Sequence, residues 1–142
     1  MVNGLNHITF SVSNLEQTVA FYKQVFLIDP VVYGQKTAYF DINGMWLALN
    51  VQDQIPRNDV YHTYTHLAFS INKEEIDAFL ERLHLSGAEI VEGRTRDILS
   101  EGQSLYFRDP DGHLLEVHTG SLAERLEHYK KNAPEMLVNK EE

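Results

Sequence analysis

The chain has 142 residues, 43% of them hydrophobic and 23% charged, with 21 acidic against 12 basic side chains, seven histidines and no cysteine. That length and apolar content support one globular domain over residues 1–142 and exclude a disordered chain. The lack of cysteine excludes disulfide frameworks, thiolate metal sites and cysteine nucleophiles, while a formal charge of −9 argues against nucleic acid, whose phosphates need a basic surplus.

No apolar run approaches the ~18 residues of a membrane span, and the first residues lack the basic-then-apolar shape of a signal peptide. The expectation is a cytoplasmic protein with no membrane partner. Residues 6–12 alternate apolar and polar side chains and read as a strand. Ser13-Asn14 then opens a helix over residues 15–26. A weak strand signal at 31–34 precedes two alternating segments, 36–42 and 45–50, around Asn43-Gly44, a tight hairpin dipeptide.

The pattern then repeats. Residues 65–71 match 6–12 at an offset of 59, setting His66 on His7 and Phe69-Ser70 on Phe10-Ser11. Downstream, Glu75 falls on Glu16 and Leu80 on Phe21. A helix over 74–85, a weak strand at 89–92, and strands at 104–108 and 113–118 around Asp109-Pro110-Asp111-Gly112 complete the second copy. Ser121-Leu122-Ala123-Glu124 has capping-box spacing and starts a last helix over about 121–131. The fold class is therefore α+β, with tandem βαβββ modules spanning about 4–50 and 63–119.

Alternation along a strand decides which side chains meet. His7 shares a face with Thr9 and Ser11, and His66 with Tyr64, Ala68 and Ser70, each opposite an apolar face. Glu116 sits mid-strand among apolar neighbours, where an unpaired carboxylate is costly to bury. Two imidazoles and a carboxylate form a sound ligand set for a divalent cation with vacant positions. Superposing Gly44 on Gly112 puts Ala48 on Glu116, so the first module has no fourth ligand. The bland alternative is that His7 and His66 are satisfied structural histidines and that Glu116 pairs with Arg125. His62, His84, His113, His118 and His128 read as surface residues.

These features resemble the vicinal oxygen chelate, or glyoxalase-like, superfamily over essentially the whole chain. Gly4-Leu5-Asn6-His7, Tyr64-Thr65-His66, Glu92-Gly93-Arg94, Ser104-Leu105-Tyr106-Phe107, Asp109-Pro110-Asp111-Gly112-His113 and Glu116-Val117-His118-Thr119-Gly120 are similar to the fosfomycin-resistance proteins within it. The tract 46–58, with Trp46-Leu47-Ala48-Leu49-Asn50 and Ile55-Pro56-Arg57-Asn58, resembles the FosB type, the bacillithiol-using transferases.

The resemblance implies a cupped mixed sheet and a reaction in which a divalent metal holds fosfomycin while a low-molecular-weight thiol opens its epoxide. It implies His7, His66 and Glu116 as metal ligands, with Mn2+ or Mg2+ favoured and Zn2+ or Ni2+ as alternatives. It implies Thr9 beside the metal, Tyr106, Arg125, Ser104 and Arg94 around the phosphonate, and Tyr39, Trp46 and Tyr64 as walls. It also implies a homodimer in which halves of two chains build each site.

Two departures bear on the thiol. Thr9 stands where the FosB type commonly carries cysteine, and residues 100–104 look more like the glutathione-using FosA type, in which that loop helps bind potassium. Thr37 stands where the FosX-type hydratases carry a water-activating carboxylate, and a threonine cannot act as that base near neutral pH. The alternatives are a hydratase or glutathione transferase of the same family, another metalloenzyme of the superfamily such as a dioxygenase, and a metal-free drug-binding module.

Overall fold

The computed structural model describes residues 1–57, 63–93 and 101–136. The elements are β1 (His7–Val12), α1 (Leu15–Phe26), β2 (Val32–Tyr33), β3 (Thr37–Ile42), β4 (Met45–Val51), β5 (His66–Ser70), α2 (Ile76–Ser86), β6 (Ile90–Val91), β7 (Ser104–Arg108), β8 (Leu114–His118) and α3 (Leu122–Asn132). The predicted βαβββ order holds twice, with ends moved by one or two residues. The second helix differs most: residues Lys73–Glu75 form a 3-10 turn before α2 begins.

Each repeat builds its own four-stranded mixed sheet, in the orders β1-β4-β3-β2 and β5-β8-β7-β6. The first strand of each runs parallel to the last, His7 opposite Trp46 and His66 opposite Leu114. The mixed sheet expected of the tandem modules is built as two four-stranded sheets, one per module, with β1 and β5 both at sheet edges.

Local chemistry explains the element ends. Asn14 caps α1 by accepting from the Gln17 amide at 3.0 Å. Asn43 and Gly44 both have positive φ, 50° and 90°, the requirement of the tight β3–β4 hairpin. In the β7–β8 turn, Asp109 Oδ1 accepts from the amides of Asp111 and His113. Ser121 and Glu124 form the reciprocal capping box read from the sequence.

One apolar cluster draws on both repeats. Tyr22 and Val25 of α1, Phe40, Leu47 and Leu49 of the first sheet, Leu83 of α2, and Phe107 and Leu115 of the second are all fully buried. Phe26 of α1 meets Phe69 and Phe79 edge-on at 4.9 and 5.8 Å, so the halves share aromatic packing worth about 0.5–1.5 kcal/mol per pair beyond burial. Tyr22 donates to Asp109 Oδ2 at 3.0 Å, tying α1 to the far hairpin.

His113 belongs to that seam. It stacks on Phe10 with ring centroids 4.5 Å apart and bonds Asp109 at 2.9 Å. This corrects its reading as a surface residue: Asp109, at the start of the turn, draws the imidazole inward. Among the described residues no helix is long and apolar enough to cross a membrane.

Candidate metal and substrate site

With one face of each sheet committed to the core, the other carries the polar side chains, and its occupants follow from register. On the first sheet, Thr9 lies opposite Ala48, and Ala48 opposite Tyr39. Trp46, opposite His7, packs against its imidazole at a tilt with ring centroids 4.5 Å apart and meets Tyr39 edge-on at 5.1 Å. His7, Thr9, Tyr39 and Trp46 therefore form one open constellation.

The second sheet carries the other. Glu116 lies between Ala68 and Tyr106 in register, and the residue is 5% exposed. His66 Nε2 stands 3.0 Å from Glu116 Oε2. The other ring nitrogen of His66 is 2.7 Å from the Tyr64 carbonyl, which can only accept. Nδ1 thus donates to that carbonyl, which leaves Nε2 to face the carboxylate. Neighbouring donors around a six-coordinate cation with ~2.1 Å bonds lie about 3 Å apart, so this pair fits a divalent metal.

Tyr64, His66 and Ala68 line one side of an open cavity of about 270 Å³, and Tyr106, Glu116, His118 and Arg125 line the rest. The Tyr64 and Tyr106 hydroxyls lie 3.0 Å apart. Gly93 supports Tyr106: a Cβ there would fall 2.7 Å from the ring, so any side chain would push the phenol out of place. Arg125 Nη2 donates to the Glu101 carbonyl at 3.3 Å, and its Nη1 lies 3.8 Å from the Glu101 carboxylate. Arg125 therefore pairs with Glu101 and not with Glu116, contrary to the bland alternative.

The predicted ligand triad is divided. His66 and Glu116 come together, whereas His7 stands on the other sheet against Asn6 and Trp46. Among the described residues of one chain, no group of three His, Asp or Glu side chains could hold a metal. The physical reason is topological: the two polar faces belong to separate sheets whose opposite faces share the core. Of the other predicted site residues, Tyr64, Ser104, Tyr106 and Arg125 join His66 and Glu116, while Thr9, Tyr39 and Trp46 join His7. Arg94 lies outside the described residues, as do His62 and Ser100.

Sequence reading missed two residues here. His118 is half-buried with Nδ1 2.7 Å from Ser104 Oγ, and Ser104 Oγ donates to Glu116 Oε1 at 2.5 Å. His118 shares a strand face with Glu116, two residues away, which was the available signal. Glu101 is 7% exposed and reaches both Arg125 and His128 at 3.8 Å. His128 is accordingly half-buried and directed at this carboxylate, which corrects its reading as a surface residue.

Residues 4–117 match the model of the Glyoxalase/Bleomycin resistance protein/Dioxygenase superfamily. The chain is 61% identical over 142 residues to the metallothiol transferase FosB of Shouchella clausii, covering all of this chain and 97% of that protein. It is 51% identical over 130 residues to FosB of Lysinibacillus sphaericus, covering 92% of each. Among solved structures, the fosfomycin resistance protein FosX of Listeria monocytogenes is 38% identical with a TM-score of 0.79, over 91% of this chain and 100% of that one. A variant of the same FosX, complexed with Mn(II) and 1S,2S-dihydroxypropylphosphonic acid, is 35% identical with a TM-score of 0.78, over 89% and 99%. The chain belongs to the glyoxalase/bleomycin resistance protein/dioxygenase superfamily and, within it, to the family of the FosB metallothiol transferases.

Proposed function

We propose that this chain is a divalent-metal-dependent thiol transferase that opens the epoxide of fosfomycin, with bacillithiol as the thiol. The observation that carries the reading is the His66–Glu116 pair, with Nε2 and a carboxylate oxygen 3.0 Å apart at the wall of an open cavity. The naming of the FosB relatives and the Mn(II) and phosphonic acid of the FosX variant support it. His66 and Glu116 would hold a divalent metal, which when bound would supply Lewis acidity toward an epoxide oxygen.

The remaining work falls to protein side chains. Arg125 offers a guanidinium fork to a phosphonate, and the Tyr64 and Tyr106 hydroxyls offer neutral donors beside it. Arg94 is proposed to complete this anion pocket, with Ser104 at its edge, its hydroxyl proton given to Glu116. With no cysteine in the chain, the thiol comes from a diffusible cosubstrate. Its sulfur bonds to an epoxide carbon as the carbon–oxygen bond breaks, and the proton the thiol gives up balances the new hydroxyl.

His7, Thr9, Tyr39 and Trp46 enter this scheme through a homodimer. The first-sheet face of one chain lies against the second-sheet face of its partner, so that His7 of the partner subunit completes the ligand set. Mn2+ and Mg2+ are the proposed metals, with Zn2+ and Ni2+ as alternatives for a nitrogen and oxygen donor set. The proposed location is the cytoplasm, where reduced low-molecular-weight thiols are available.

Hydration is the weaker reading on one specific contact. Thr37 donates its hydroxyl to Asn50 Oδ1 at 3.0 Å and offers no carboxylate to activate water. The test is turnover of fosfomycin with Mn(II) and, in parallel, bacillithiol, cysteine, glutathione or water alone, with products identified by mass spectrometry. The expected result is a bacillithiol adduct formed fastest. A glycol formed at the same rate without thiol would move the protein to the hydratase branch.

A further inference from the structure

We propose that His118 and Ser104 act as positioning residues for Glu116, holding its carboxylate in the orientation that meets His66 Nε2. The proposal rests on the reading of His66 and Glu116 as metal ligands, and it assigns His118 a task in the same site. A carboxylate only accepts, so the single proton of Ser104 Oγ goes to Glu116 Oε1 at 2.5 Å. Ser104 Oγ must then accept from its other neighbour, and His118 Nδ1 at 2.7 Å supplies that proton. The chain runs from His118 Nδ1–H to Ser104 Oγ–H to Glu116 Oε1, leaving Oε2 to face His66.

Burial makes this chain matter. Glu116 is 5% exposed, and a carboxylate so enclosed takes its orientation from fixed donors and not from water. The imidazole is itself wedged in place: a Cβ on Gly120 would fall 2.7 Å from His118 Nε2. Partners of this kind set the orientation of a metal-binding carboxylate or imidazole.

The first repeat carries an internal counterpart. Thr37 lies opposite Asn50 in register just as Ser104 lies opposite His118, and Thr37 Oγ1 donates to Asn50 Oδ1 at 3.0 Å. The hydroxyl and its partner occur in both halves, but only the second half has a carboxylate, at the position Ala48 fills in the first. Asn50 also names the conservative variant. An asparagine amide nitrogen can take the place of histidine Nδ1, so His118→Asn keeps the donor and loses only the rest of the ring.

The test is Mn(II) affinity, measured by titration of metal-free protein with Mn(II) alone and detected by electron paramagnetic resonance. His118→Ala and Ser104→Ala should each weaken binding about 10–100-fold. His118→Asn should stay within about threefold of the parent, a rescue that loss of packing alone would not give. Because the two residues act in series, the double Ala variant should bind about as weakly as Ser104→Ala. In metal-free protein, nitrogen–proton NMR should find His118 protonated at Nδ1, with that signal moved by Ser104→Ala. Parent-like affinity in His118→Ala, beside a Glu116→Ala variant that loses Mn(II), would overturn the positioning role alone. Parent-like affinity in Glu116→Ala would overturn the metal site and the positioning role together.

Discussion

Ala48 occupies the position in the first sheet that Glu116 occupies in the second. Ala48 lies opposite Thr9, two residues past His7, and Glu116 lies opposite Ala68, two residues past His66. The repeats are therefore alike in backbone and unequal in chemistry. One brings an imidazole between Trp46 and Asn6, and the other brings an imidazole aimed at a buried carboxylate.

That inequality yields a complementation prediction for a shared site. His7→Ala and His66→Ala should each abolish thiol transfer as separate proteins, since loss of one of three ligands removes most of the metal affinity. Co-expressed, they should form mixed dimers in which one of the two sites keeps His7 from one chain and His66 from the other. With random pairing, activity should recover to about a quarter of the parent's. Dimers that form but show no recovery would mean that the two histidines never serve one site across chains.

A second prediction concerns the seam between the halves. Tyr22 is fully buried, and its burial and the Asp109 carboxylate it donates to hold its pKa well above the ordinary 10.0. A raised phenol pKa means the folded protein favours the protonated form. The contribution is whole below pH 10 and is lost as pH rises from there through the folded value, by about 1.4 kcal/mol per pH unit. Tyr22→Phe should cost about 1–3 kcal/mol at pH 7, because it removes a hydrogen bond to a charged acceptor. The gap between parent and variant in urea unfolding should then narrow above pH 10. A gap that stays constant through pH 11 would show that the phenol proton is not what Asp109 holds.

Sequence reading went furthest where a strand's alternation alone decides the outcome. His66 and Glu116 fall on one face by parity, and the Ala48–Glu116 equivalence follows from aligning two turns, so both were legible. The separation of His7 was not, because parity fixes a face within a sheet and says nothing of which sheets face each other. His113, His118 and His128 were read as exposed because each is polar and near a strand or helix end. What draws them in is a carboxylate or hydroxyl that the fold brings alongside: Asp109, Ser104 and Glu101 respectively. Such partners lie four to 27 residues away in sequence and have no periodic signature.

The last prediction isolates the anion pocket from the chemistry. Arg125 is anchored by Glu101 through a carbonyl contact at 3.3 Å and a carboxylate contact at 3.8 Å, while its guanidinium lines the cavity beside Tyr106. A lysine keeps the charge but loses the planar fork that grips two phosphonate oxygens at once. Losing one charge-assisted hydrogen bond costs about 1.5–3 kcal/mol, or roughly 10–100-fold in binding. Arg125→Lys should therefore raise the KM for fosfomycin by that factor and leave Mn(II) affinity unchanged. The drop in kcat should be several-fold smaller, since the residue holds the substrate's phosphonate and not its epoxide. Steady-state kinetics at saturating thiol separates the two effects. A variant with unchanged KM and a collapsed kcat would put Arg125 at the reacting carbon–oxygen bond instead of the phosphonate.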